Sequence, residues 1–147
     1  MVRGVVLVGL ASLAVAGCES VYSAPHSGPT ARVAVTRALL LETQQAKLLY
    51  RGADRSRRDW FGEGIFYEYD KTWPVAAETR TEFEVETLTY AGYTELYCST
   101  FYSFTPKSGR SYSFAPVMPG RGCSVAILDK ETGKAPSDLV QEIPPAE

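Results

Sequence analysis

Histidine is almost missing from this chain. His26 is the only one in 147 residues, and it falls in a stretch rich in Ser, Pro and Gly. Ser-His-Asp and Cys-His catalysis both need a histidine held rigidly inside a domain, so neither is expected. The glycine signatures of nucleotide and acyl chemistry are missing as well. There is no Gly-x-x-x-x-Gly-Lys, no Gly-x-Gly-x-x-Gly and no Gly-x-Ser-x-Gly; Gly62-Glu63-Gly64 lacks a third glycine. Positive charge is not in excess, with 15 Lys and Arg against 17 Asp and Glu and a net charge of -2. Binding a phosphate backbone calls for a basic face, so no nucleic-acid partner is expected. Repeats and low-complexity tracts are lacking too. The expectation is a non-enzymatic protein with no catalytic set, no metal site and no cofactor.

What is present is globular. Hydrophobic residues make up 45% and charged residues 22% of the chain, and nine Tyr, six Phe and two Trp are enough to fill one small core. The length fits a single domain. At the N-terminus, Met1-Val2-Arg3 precedes an apolar run from Gly4 to Ala16, thirteen residues interrupted only by Ser12. That run is too short to cross a hydrocarbon core of about 30 Å as a helix, and has the length of a signal-peptide apolar region. Val15-Ala16-Gly17-Cys18 resembles a bacterial lipobox at all four positions.

That resemblance implies a signal peptide over 1–17 and lipidation at Cys18, hence a membrane partner through the N-terminal anchor. Acyl chains contribute about 0.8 kcal/mol per buried CH₂, so a multiply acylated cysteine is firmly held. Glu19 follows Cys18 where Asp would favour inner-membrane retention, so the resemblance implies the periplasmic face of the outer membrane. The expected organisation is then a lipidated Cys and flexible tether over 18–30, a β domain over 31–135 and a loose Pro-rich tail over 136–147.

Within that domain, period-2 patterns dominate. Phe83 and Val85 alternate with Glu82, Glu84 and Glu86, and Leu96, Cys98, Thr100, Tyr102 and Phe104 share one phase. Tyr112 and Phe114 alternate with Ser111 and Ser113, and Cys123, Val125 and Ile127 with Ser124 and Ala126. Each pattern suits a strand with one buried side, and Pro106 to Gly109 and Pro119 to Gly122 supply turns. Val33 and Val35, Ala46 to Tyr50 and Ile65 to Tyr69 are weaker strand candidates; residues 37–49 also read as a short helix. Seven strands in all predict an all-β fold, a small antiparallel sandwich, immunoglobulin-like or barrel-like.

With Cys18 lipidated, Cys98 and Cys123 remain as an even pair in an oxidising compartment, both on the apolar phase of their strands. A disulfide between them is expected, closing 26 residues, for which the chain-entropy relation gives roughly 3.5 kcal/mol.

Two charged features stand out. Glu82, Glu84 and Glu86 form a row at steps of about 6.6–7 Å, a pattern that suits cation binding or glycoside hydrolysis, but the preferred reading is a solvated face. Arg51, Arg55, Arg57 and Arg58 form a basic cluster broken by Asp54 and Asp59, preferably an exposed loop of mixed sign. Tyr97 and Phe101 lie on the exposed phase, which suits a binding platform, but the preferred reading is that they pack a second face.

The run from Cys98 through Phe104-Thr-Pro106-Lys-Ser-Gly109-Arg-Ser-Tyr112 to Cys123 resembles a pattern in small proteobacterial lipoproteins of unassigned function. It implies the bridge and the β fold without an activity. Ser108-Gly109-Arg110-Ser111-Tyr112 also resembles the Ser-Gly-x-x-Tyr element of periplasmic lysozyme-inhibitor lipoproteins, which would place Ser108 and Tyr112 on an inhibitory loop. The expected role is therefore lipid-anchored binding or structure in the cell envelope, with an envelope protein or a wall polymer as partner. The alternative is inhibition of a lysozyme-like wall hydrolase.

Overall fold

The computed structural model describes residues 20–36, 44–62, 71–91, 93–117 and 124–143. Among these the regular structure is all β. The strands are β1 (Ser20–Val21), β2 (Thr30–Val35), β3 (Gln44–Gly52), β4 (Asp59–Trp60), β5 (Trp73–Ala76), β6 (Thr81–Ala91), β7 (Thr94–Phe104), β8 (Ser111–Val117), β9 (Ser124–Asp129) and β10 (Val140–Glu142). They form a six-stranded sheet in the order β1-β4-β3-β6-β7-β10 and a four-stranded sheet in the order β5-β2-β8-β9. The two sheets pack face to face as a sandwich and do not close into a barrel.

The core lies between the sheets, where period-2 alternation sends one side of each strand. Phe83, Phe104 and Phe114 are fully buried at its centre, with ring centroids 5.4 Å apart for Phe83–Phe104 and 5.2 Å for Phe83–Phe114. Val33, Val75, Val85 and Ile127 fill the spaces around them. Burying a side chain of this size contributes roughly 1.5–3 kcal/mol, so these contacts dominate folding.

Several expectations need correction. The sheets are mixed rather than antiparallel: β1 pairs with β4 and β2 with β8 in parallel. Among the described residues β1, β4, β5 and β10 were not foreseen, because strands of two to four residues leave too little periodicity to read. The helical option for 37–49 fails from Gln44 onward. There the chain is β3, held by β6 on one side and β4 on the other, and tertiary pairing overrides the helix propensity of Ala, Lys and Leu. Residues 37–43 and the strand expected at Ile65 to Tyr69 lie outside the described residues.

The expected tether is also built into the fold from Ser20 onward. Tyr22 is buried, its ring 4.3 Å from that of Phe61 and its hydroxyl donating to the Pro74 carbonyl. An aromatic ring entering the core outweighs the loop-like composition around it. The expected loose tail is likewise ordered through Ile143: Leu139 packs against the core and β10 pairs with β7 at Phe101 to Ser103.

Candidate functional site

β6 projects Glu82, Glu84 and Glu86 onto the outer face of the larger sheet, away from the core. The loop from β3 to β4 folds back over this face. Gly52 (φ 79°) and Arg55 (φ 62°) sit in the left-handed region and make that reversal. Arg51, at the end of β3, and Arg55 and Arg58 in the loop then meet the carboxylates one by one. Arg55 Nε lies 2.7 Å from Glu82 Oε2. Arg51 lies 3.5 Å and Arg58 3.3 Å from Glu84 Oε2, and Arg58 also pairs with Glu86.

β7 completes the lattice. Ser99 Oγ donates to Glu84 at 2.9 Å, and the Tyr97 hydroxyl donates to Glu86 at 2.6 Å. The Arg51 guanidinium lies 5.9 Å from the centre of the Phe101 ring, and Phe101 is buried beneath this layer. Leu49, on the same face, is fully buried too.

The expected solvated row is therefore a covered one. Glu82 and Glu84 are only 3% and 4% exposed. The charge row and the basic cluster, read separately in the sequence, are partners. A carboxylate desolvated alone is costly, and an arginine over it restores part of the lost solvation. Burial pushes the Glu82 carboxyl above its ordinary range; Arg55 opposes this and Glu142 reinforces it. Neither Glu82 oxygen accepts a hydrogen bond among the described residues, since Arg55 Nε is close without being aligned. A hydrolytic carboxylate has to reach its substrate, and Glu82 and Glu84 lie beneath the arginines instead.

Other expected site residues are dispersed. Cys18 and Cys123 lie outside the described residues. Cys98 is half-buried and disulfide-bonded. The start of β9 is held beside β7 by the Val125 amide, which donates to the Tyr102 hydroxyl at 3.2 Å. Ser108 is exposed at a turn where Gly109 has φ 75°. Tyr112 is 2% exposed, and its hydroxyl accepts the Lys107 amide at 2.9 Å, so the two are not presented together. Tyr97 is exposed whereas Phe101 is not, so only the second packs the outer face as expected. Leu96, on the supposed core phase, is 52% exposed.

Of the acidic residues that the fold brings into pairs, Asp129 and Glu142 were not singled out in the sequence, and Asp59 was noted only as a break in the basic cluster. Asp59 is buried where β1 meets β4, next to Ser20 and Arg57. Asp129 is held by Arg110 at 2.6 Å. Glu142 reaches Arg55 at 3.1 Å. The only local signal was the alternation around Asp129; no periodicity marks the other two.

The fold and this face define a small two-sheet β-sandwich with an arginine–glutamate lattice sealing one outer surface. No family model, no curated protein and no solved structure matches the chain.

Proposed function

We propose that this chain is a lipid-anchored cell-envelope protein with a non-enzymatic binding or structural role, held through Cys18 on the periplasmic face of the outer membrane. The observation that carries the reading is the position of β1. Its first residue, Ser20, is two residues after the lipobox cysteine, so at most about 7 Å of chain separates lipid and sheet. A domain so closely joined to its anchor is held near the bilayer in a restricted orientation.

The geometry supports one such orientation. Ser20 is level with Asp59, Tyr50 and Phe83 in the sheet, and β1 runs in the direction of β6. β1 therefore begins at the end that carries the 53–58, 77–80 and 105–110 links. The β6–β7 turn is at the other end, eight residues beyond Phe83, or about 26 Å. Tyr93 in this turn and Leu96 and Tyr97 at the adjoining end of β7 are exposed, where an envelope protein or wall polymer would meet them.

Growth of an expressing bacterium with an alkyne-tagged fatty acid tests the anchor. The chain is expected to take the label and to fractionate with the outer membrane. Cys18→Ser is expected to abolish labelling while leaving the fold intact. Labelling that survives in Cys18→Ser, or an unlabelled wild-type chain, overturns the proposal.

A further inference from the structure

β10 is a three-residue strand on the outer edge of the eleven-residue β7. Little apolar burial holds it there: Val140 is 44% and Ile143 83% exposed, and only Leu139 packs partly against the core. The hold is polar and comes from two arginines on separate links. Arg55, between β3 and β4, reaches Glu142 at 3.1 Å. Arg80, between β5 and β6, lies 3.9 Å from the same carboxylate and donates to the Asp138 carbonyl at 3.3 Å. Ser103 Oγ donates to Glu142, and the Thr105 amide donates to Asp138 Oδ2 at 2.9 Å.

A short edge strand with exposed side chains gains little beyond its ladder bonds, and ion pairs open to solvent add little more. Ordering the segment costs conformational entropy of comparable size. Such a segment opens locally without global unfolding. Opening uncovers a strand edge at Phe101 to Ser103 with Arg55 and Arg80 beside it, the two features that strand addition by an acidic peptide requires.

We propose that the outer edge of β7 is a docking edge for an extended peptide bearing a carboxylate, and that β10 is its resident occupant in cis. A partner presents an extended apolar–polar segment whose acidic residue takes the place of Glu142 between Arg55 and Arg80. The inference does not depend on lipidation of Cys18. Because a tethered occupant competes at millimolar effective concentration, the edge is masked until β10 is displaced.

The test uses the full chain carrying Val140→Pro and Glu142→Gln, which disable the resident strand and leave β7 unchanged. A labelled peptide with the sequence of residues 137–143 is titrated into this variant and into the wild type. The variant is expected to bind at least tenfold more tightly, with amide shifts centred on Phe101 to Thr105. The same peptide carrying Glu142→Gln is expected to bind at least threefold more weakly. Equal or undetectable binding to both proteins at millimolar peptide overturns the proposal. So does loss of the native amide spectrum in the variant, since β10 is then an integral strand and not a displaceable one.

Discussion

Arg55 Nε stands 2.7 Å from Glu82 Oε2, and the carboxylate it covers is 3% exposed to solvent. The arginine is itself 38% exposed, so water supplies its remaining solvation while Glu82 has little besides this contact. The dependence is therefore one-sided. Arg55→Ala leaves a buried carboxylate without its counter-charge and is expected to cost about 2 kcal/mol, below the range for fully buried pairs because Arg55 is partly solvated. Adding Glu82→Gln to that variant is expected to recover most of the loss. Urea unfolding at pH 7 of the two single variants and the double reads this cycle; strictly additive costs would show the pair to be uncoupled.

The pH dependence of stability follows with a defined sign. Burial raises the Glu82 pKa above its ordinary value of 4.5, so between 4.5 and the folded value the native state binds more protons than the unfolded state. This contribution is greatest at low pH and is lost as pH rises through the folded pKa. Wild type is expected to gain on Glu82→Gln as pH falls toward 4.5, and a gap that widens the other way would contradict it.

Asp129 has the opposite sign. Its burial alone would raise the pKa, but hydrogen bonds from Arg110 and from the Glu131 amide outweigh this and hold it below 3.8. Its stabilisation is complete above 3.8 and is lost as pH falls through the folded pKa. Asp129→Asn is therefore expected to destabilise the protein at pH 6 and to lose this deficit in strong acid. Thermal unfolding across the acid range measures it; a constant deficit down to pH 2 would show that the charge is not what stabilises.

Cys98 is disulfide-bonded, and Cys123 is the expected partner, one residue before a strand whose Val125 amide already reaches Tyr102 on β7. Intact mass after alkylation of the native protein is expected to show both thiols blocked until reduction. Reduction should cost roughly 3.5 kcal/mol on the chain-entropy relation. Alkylation of Cys123 in the unreduced protein would exclude this pairing.

Tyr22 fastens the N-terminal segment. Tyr22→Ala is expected to cost about 3–5 kcal/mol, the usual loss for a large aromatic from a core. Tyr22→Phe removes only the bond to the Pro74 carbonyl, about 1 kcal/mol. Amide exchange at Tyr22 and Phe61 should rise sharply in the first variant and little in the second. If both variants unfold at the wild-type denaturant midpoint, the segment is a dispensable spacer after all.

By itself the sequence determined the all-β class and the residues of the long strands. The alternating run from Leu96 to Phe104 lies within β7 and that from Glu82 to Glu86 within β6, although burial along β7 departs from the phase at Leu96, which is exposed, and at Phe101, which is buried. Period-2 patterning is a local property, written in residues two apart, and survives without knowledge of any partner. Tertiary structure alone decided the rest. Ser20–Val21 and Val140–Glu142 are strands because neighbouring edges offer them hydrogen bonds, and two or three residues carry no period to read. The row at Glu82 to Glu86 looked solvated because alternation reveals which side a residue takes, not what comes to cover it. Arg58 and Glu84 are 26 residues apart in the chain. Their pairing is set by the β3–β4 loop folding back over the sheet, a long-range event that no local spacing encodes.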